Sequence, residues 1–166
     1  MAVDVAPSAE QTRACYPDEE GYVERDGVRL YYEVYGSGEP TIFLLPTWSI
    51  VHSRQWKMQI PFLARHFRVL TFDGRGSGRS ESPPTAEAYN AEEFVADAIA
   101  VMDRTQTDRA VLVGFSRSGS TAIMHAAAHP DRTLGAFVIG AAAAAASQAA
   151  AAQAEAAQAK AGDEGG

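Results

Sequence analysis

The chain has 166 residues, of which 46% are hydrophobic, and its formal net charge is −7 at pH 7. Such a chain can bury one hydrophobic core, and its acidic balance argues against nucleic acid as a partner. With one cysteine it can form no intramolecular disulfide, and no apolar run reaches the roughly 18 residues of a membrane span. We therefore expect a single-domain cytoplasmic protein without nucleic-acid or membrane partners.

The N-terminal part divides into a lead-in and a hairpin. Residues 1–20 are rich in Ala, Asp, Glu and Pro without any periodicity, which predicts a disordered segment. The domain is then expected over residues 21–140. Two alternating segments, 22–25 and 28–35, flank Asp26-Gly27, a strong turn signal, and together they predict an N-terminal β-hairpin.

From residue 41 onward the pattern alternates between strand and helix. Short apolar runs predict buried strands over residues 41–45, 68–72, 110–115 and 134–139. Apolar residues at helical spacing predict helices over residues 53–67, with a bend at Pro61, and over 87–106 and 121–128. This alternation predicts an α/β fold with a mostly parallel sheet and helices on both of its faces.

Residues 141–166 form an alanine-rich tail. Up to residue 161, the only residues other than alanine are Ser147, Gln148, Gln153, Glu155, Gln158 and Lys160. Alanine favours helix but offers little apolar area for burial. We therefore expect a low-complexity tail and not a second half-domain.

Residues 111–119 carry the main functional signal. An apolar strand breaks at Ser116, between Gly114 and the small residues Ser118 and Gly119, and a helix follows. A glycine before the serine lets the backbone turn tightly and expose the hydroxyl, as in a nucleophile elbow. Ser116 is therefore the candidate nucleophile. Ser118 is the less favoured alternative, because the turn exposes the residue that follows Phe115.

Three motifs in order resemble the N-terminal half of an α/β-hydrolase-fold protein, over roughly residues 22–140. Residues 44–48 (Leu-Leu-Pro-Thr-Trp) resemble the family's oxyanion loop, although His-Gly is commoner at the Pro46-Thr47 position. Residues 72–80 resemble the family's Asp-x-Arg-Gly-x-Gly-x-Ser turn, and the third motif is the elbow itself. The fold expected from the resemblance is a truncated α/β-hydrolase-type sheet.

The resemblance also implies a chemistry. Ser116 would attack the carbonyl carbon of a small acyl substrate in an esterase-like reaction, with water as the second substrate. The backbone N–H groups of Trp48 and Arg117 would hold the oxyanion, and Thr47 and Trp56 would line the pocket. Neither a cofactor nor a metal is implied.

The sequence departs from the family in the partners of the nucleophile. The family's acid and base follow the elbow on later strands, whereas here no histidine follows His129. His125 and His129 lie too far along the helix to reach Ser116, and His66 is expected at the opposite end of the sheet. His52, in the loop after the third strand, is therefore the candidate surrogate base.

Two other chemistries are weaker alternatives. His125 and His129 have the i, i+4 spacing of two metal ligands, but the sequence offers them no third ligand. The glycine-rich run over residues 74–78 lacks the lysine-serine pair of a phosphate loop, so a structural turn is the preferred interpretation.

Two functions follow from this pattern. The first is a serine hydrolase with an incomplete triad, and the alternative is a catalytically inactive fragment that serves as a binding or interaction module. In either case the strand at 134–139 would be an open apolar edge, so we expect self-association through that edge of the sheet.

Overall fold

The computed structural model describes residues 15–47 and 51–141. Its strands are β1 Glu19–Arg25, β2 Val28–Tyr35, β3 Ile42–Leu44, β4 Val69–Phe72, β5 Ala110–Phe115 and β6 Thr133–Ile139. Its α-helices are α1 Ile60–Leu63, α2 Ala91–Arg104 and α3 Arg117–Ala128, and short 3-10 helices occupy Ser53–Trp56, Ala86–Tyr89 and Pro130–Arg132. None of the helices in these described ranges is long and apolar enough to cross a bilayer.

The strands form one mixed sheet in the order β1-β2-β4-β3-β5-β6. β1 and β2 form the predicted antiparallel hairpin, and β2 also runs antiparallel to β4. The other pairs, β3 with β4, β3 with β5 and β5 with β6, are parallel. The carboxyl ends of β3 to β6 therefore lie along the same side of the sheet, where the loops that carry functional residues begin.

Helices cover both faces of the sheet, as predicted. Under α2 and α3, apolar side chains from four strands form the larger core, which includes Phe43, Leu70, Phe72, Leu112 and Met102. On the opposite face, Trp56 and Ile60 pack against a smaller cluster that comprises Tyr35, Ile42, Leu44 and Val69. The central strands are thus buried on both faces, which explains their continuous apolar sequences.

Two of the three predicted helices are shorter in the structure, whereas α3 begins at Arg117, directly after the elbow. The stretch predicted as one bent helix over residues 53–67 is a 3-10 turn followed by α1, in which Pro61 stands at the start of the helix. The predicted helix over 87–106 begins as α-helix only at Ala91, because the Asn90 side chain accepts the Glu93 backbone N–H at 2.9 Å and caps it.

The N-terminal boundary also differs. β1 begins at Glu19, within the segment predicted to be disordered, and the Asp18 backbone N–H donates to the Val34 carbonyl at 2.9 Å. The Gly36 backbone N–H also donates to the Asp18 side chain, so hydrogen bonds order the chain before residue 20. The rest of the predicted lead-in, residues 1–14, and the tail from residue 142 lie outside the described residues.

A buried ion network joins the hairpin, the turn after β4 and α2. Asp97 of α2 is fully buried and accepts two hydrogen bonds at 2.7 Å from the buried guanidinium of Arg75. Arg25 of β1 donates to the same carboxylate at 2.8 Å and also pairs with Glu93. Each buried charge thus has an opposite partner, which buried ions require.

Candidate active site

Ser116 occupies a strained turn between β5 and α3. Its φ of 56° and ψ of −119° lie outside the regions that L-residues normally adopt. Two backbone hydrogen bonds hold it there, since its N–H donates to the Ile139 carbonyl at 2.8 Å and its carbonyl accepts from the Gly119 N–H at 3.0 Å. Strain of this kind costs of order 1–3 kcal/mol and persists only where the surrounding structure enforces it.

Glycine is required on both sides of this turn. A Cβ atom at Gly114 would overlap the backbone carbonyl of Ser118. A Cβ atom at Gly119 would lie 2.7 Å from Cβ of Ala141 and 2.9 Å from Val138 Cγ1. The two glycines therefore allow α3 to start directly against the ends of β5 and β6.

Ser118 closes the turn through its side chain. Its hydroxyl is buried, donates to the Phe115 carbonyl at 3.0 Å and accepts from the Phe115 N–H at the same distance. The Ser118 hydroxyl is therefore already engaged within the turn, which agrees with Ser116 as the preferred candidate nucleophile.

Arg117 is the first residue of α3, so its backbone N–H lies at the positive end of the helix dipole. Its guanidinium stacks 4.2 Å from the centre of the Phe94 ring, and it donates to the Tyr89 carbonyl at 3.3 Å. The side chain thus folds back over α2 and its preceding turn. Trp48, the other predicted oxyanion residue, lies outside the described residues.

Thr47 and Trp56, both predicted to line a pocket, have different surroundings. Thr47 is buried, and its hydroxyl donates to the Phe115 carbonyl, so this bond connects the loop after β3 to the residue before Ser116. Trp56 is 7% exposed and its indole N–H donates to the Leu45 carbonyl at 3.1 Å. Its position in the smaller apolar cluster makes Trp56 a packing residue.

Asp73 holds together the loops that follow β3 and β4. Its buried carboxylate accepts the Ser53 backbone N–H at 2.6 Å and the Arg79 backbone N–H at 2.8 Å. The Ser80 hydroxyl donates to the Asp73 carbonyl at 2.6 Å. The glycine-rich run is therefore a turn closed on itself and on the neighbouring loop, which supports the structural interpretation. Sequence reasoning identified the motif but not this cross-link.

His52 lies in the same place, against Gly78 and beside a cavity of about 220 Å³ that Asp73 also lines. Its Nδ1 accepts the Arg54 backbone N–H at 3.2 Å and so caps the following 3-10 turn. An Nδ1 that accepts places the ring proton on Nε2. His52 must therefore change tautomer, or give up this cap, before it can take a proton from a nucleophile.

The buried carboxylate of Glu33 lines the same cavity and was missed by sequence reasoning. It accepts hydrogen bonds from the hydroxyls of Tyr31 at 3.0 Å and Tyr35 at 2.8 Å, and Arg54 donates to it at 3.0 Å. Burial and this carboxylate raise the pKa of Tyr35 well above its usual value, so the phenol stays protonated. In the sequence, Glu33 stands between two apolar positions of β2, and this position could have indicated a buried carboxylate.

The other histidines lie away from the elbow. His125 is fully buried in α3, with Nδ1 3.2 Å from the Thr133 hydroxyl, and within the described residues Nε2 has no hydrogen-bond partner. Burial, reinforced by His129 and Arg132, lowers the pKa of His125 to about 4. The rings of His125 and His129 are 5.4 Å apart, but no cluster of three potential metal ligands occurs in the described ranges.

The Ser116 hydroxyl has no partner that would activate it in this part of the chain. Among residues 15–47 and 51–141, no side chain forms a hydrogen bond with Ser116 Oγ. The described residues thus supply the turn of the candidate nucleophile and one helix N-terminus, but no base in contact with the hydroxyl.

A mixed sheet with helices on both faces, and a strained serine between a central strand and a helix, define the α/β-fold class of hydrolytic enzymes that use a nucleophile elbow. Comparison with known proteins agrees. Residues 40–163 match the alpha/beta hydrolase fold family, and the chain belongs to this family.

Individual relatives are hydrolases with different substrates. The chain is 34% identical over 134 residues to rat bifunctional epoxide hydrolase 2, a match that covers 76% of this chain and 23% of that protein. It is 31% identical over 120 residues to 2-hydroxymuconate semialdehyde hydrolase of Pseudomonas sp. strain CF600, with 69% and 40% covered.

A solved structure gives the same result. Est816, described as an N-acyl homoserine lactone degrading enzyme, matches with a TM-score of 0.65 and 39% identity over 73% of this chain and 45% of its own. The chain therefore spans less than half the length of each of these relatives.

Proposed function

We propose that the protein is a serine hydrolase that cleaves a small ester or a related acyl compound, with Ser116 as its nucleophile and water as the second substrate. The observation that carries the proposal is the positive φ of Ser116, held at the strand-to-helix turn by Ile139 and Gly119. A strained serine at this position presents its hydroxyl to a substrate at the carboxyl side of the sheet.

The side chain at the elbow favours acyl chemistry. By their names, the relatives described above act on an epoxide, a semialdehyde and a lactone. These comparisons therefore do not decide which reaction this chain would catalyse. A serine hydroxyl attacks a carbonyl carbon and forms an acyl-enzyme, which water then hydrolyses. The N–H groups of Arg117 and Trp48 would stabilise the oxyanion, and His52 is the candidate base.

Hydrolysis of p-nitrophenyl acetate by the full chain tests this proposal. We expect Ser116→Ala to lower kcat/KM at least about 100-fold, as removal of a nucleophile does. Ser120→Ala, a matched change one turn further along α3, should leave kcat/KM within about twofold. Equal rates for the wild-type protein and Ser116→Ala would overturn the proposal.

A second candidate is a catalytically inactive module that binds acyl compounds. It is supported by the observation that no side chain of the described residues forms a hydrogen bond with Ser116 Oγ. This function predicts that p-nitrophenyl acetate binds, as measured by calorimetry, without release of p-nitrophenol. We place either activity in the cytoplasm, where the single cysteine would stay reduced.

A further inference from the structure

The peptide unit that joins Phe115 to Ser116 is held by hydrogen bonds on both of its sides. Its N–H, which belongs to Ser116, donates to the Ile139 carbonyl at 2.8 Å. Its carbonyl, which belongs to Phe115, accepts from the hydroxyls of Thr47 and Ser118. Because a peptide unit is planar and rigid, contacts on its two sides fix the orientation of the whole plane. These three hydrogen bonds therefore set the plane that precedes Ser116.

The orientation of this plane determines the backbone angle at which Ser116 is strained. The φ angle of a residue describes its rotation relative to the preceding peptide plane, and at Ser116 it is 56°. A serine whose preceding peptide plane can rotate relaxes to a negative φ, since positive values are uncommon for residues other than glycine. The strained turn at Ser116 thus depends on the groups that hold the Phe115 carbonyl.

The two hydroxyls on the Phe115 carbonyl come from different parts of the chain. Ser118 belongs to the first turn of α3, so it moves together with the elbow. Thr47 stands in the loop after β3, 68 residues before Phe115 in the sequence. A local hydroxyl can follow a change of the turn, whereas a hydroxyl on a separate loop resists it. The bond from Thr47 therefore restrains the elbow from outside.

The backbone around Thr47 is itself anchored. Two residues earlier, the Leu45 backbone N–H donates to the Val113 carbonyl of β5 at 2.9 Å. The Gln55 side chain, with its amide oxygen directed toward the loop, accepts the Thr47 backbone N–H at 3.2 Å. Thr47 is only 6% exposed, so water has little access to its hydroxyl. The donor to the Phe115 carbonyl therefore has a fixed position.

We propose that Thr47 is a positioning residue for Ser116: its hydroxyl holds the Phe115 carbonyl and thereby keeps the Ser116 backbone in the conformation that presents the nucleophile. This inference rests on the proposed function, to which it adds a residue that acts through its neighbour and not on the substrate itself. When the Thr47 hydroxyl is removed, the Ser118 hydroxyl still holds the same carbonyl. The turn should then be held less firmly, while the fold persists.

The rate at which a fluorophosphonate probe labels Ser116 in the full chain tests this role. Thr47→Val removes the hydroxyl at nearly constant shape and should slow labelling at least about tenfold, because small displacements of a reacting group are costly. Thr47→Ser, which keeps a hydroxyl, should restore most of the rate. Thr71→Val is the matched control, since the buried Thr71 hydroxyl donates to the Leu44 carbonyl at 3.1 Å between β4 and β3. Its rate should stay within about twofold of wild type.

Hydrogen exchange of the Ser116 amide, followed by NMR, provides a readout that does not depend on reactivity. This N–H should exchange at least about fivefold faster in Thr47→Val than in the wild type or Thr71→Val, because the turn opens more easily. Labelling of Thr47→Val at the wild-type rate, equal slowing in both valine variants, or unchanged exchange would overturn the positioning role and leave the proposed function standing. Folded wild-type protein in which Ser116 takes up no label would overturn the proposed function, and this inference with it.

Discussion

The two edges of this sheet are built in opposite ways. At the β1 edge, Arg25 reaches across to Asp97 and Glu93, so that charged groups fasten the outer strand to α2. At the β6 edge, Phe137 and its neighbours remain exposed. Buried ionic contacts thus hold the outer strand β1, whereas among the described residues the side next to Ser116 leaves apolar side chains exposed.

The largest effect is expected at the ionic edge. Asp97→Asn removes the buried carboxylate that pairs with both Arg75 and Arg25 and leaves the two guanidinium groups to share Glu93; loss of one partner of a buried ion pair typically costs about 3–5 kcal/mol. Urea unfolding at neutral pH should show a loss of this size. Asp103→Asn, in an exposed pair with Arg132, should cost less than about 1 kcal/mol. Similar losses for the two variants would mean that the network does not hold this edge.

The next effect concerns the helix that packs against β6. His125 has a folded-state pKa of about 4 against an ordinary value of 6.5, so the unfolded chain takes up a proton first as the pH falls. The free energy of unfolding should therefore decline as the pH falls from 6.5 to 4. Outside this pH range, His125 should contribute little further change. The loss of unfolding free energy that is due to His125 should reach about 2 kcal/mol at pH 5.

The contribution of His125 to this pH dependence is measured by comparing the wild-type protein with a variant that lacks the imidazole. Urea unfolding of the wild-type protein and of His125→Asn from pH 8 to pH 4.5 should show a steeper decline for the wild type. His66→Asn, at an exposed position, provides the matched control and should follow the wild-type curve. Parallel curves for wild type and His125→Asn would show that burial of this ring does not couple to pH.

The smallest effect is expected at the apolar edge itself. Phe137→Ala removes a side chain that is 61% exposed, so at protein concentrations around 1 μM it should lower the unfolding free energy by less than about 1 kcal/mol. Phe43→Ala, at a fully buried position of the central strand β3, should cost about 3–5 kcal/mol. A comparable loss at Phe137 in dilute solution would mean that this ring is buried within the monomer.

The sequence predicted the strands and their alternation with helices well, because buried strands carry continuous apolar runs. The turn at Asp26-Gly27 and the elbow at Ser116 were also predictable, since each depends on residues adjacent in the chain. Helix limits were harder to predict. The side-chain cap at Asn90 and the position of Pro61 at the start of a short helix set these limits, and both are effects of single residues within a periodic apolar pattern.

Contacts distant in sequence were not predictable. Asp97 stands three residues after Phe94, on the apolar stripe of α2, and this was a usable sign of a buried charge. Its partner Arg75, however, could be recognised only from the fold. The same holds for Asp73, whose carboxylate joins two loops, and for the hydrogen bond that turns His52 into a cap. A candidate base could be selected by its place in the chain, but its hydrogen-bonding state could not.

The proposed function requires that the strained turn makes Ser116 a nucleophile. Labelling of the full chain with a fluorophosphonate probe, with the adduct located by mass spectrometry, tests it most directly. We predict a single adduct on Ser116 that is absent from Ser116→Ala and retained in Ser120→Ala. Folded protein that takes up no label, or that carries the label on another residue, would show that Ser116 is not the nucleophile.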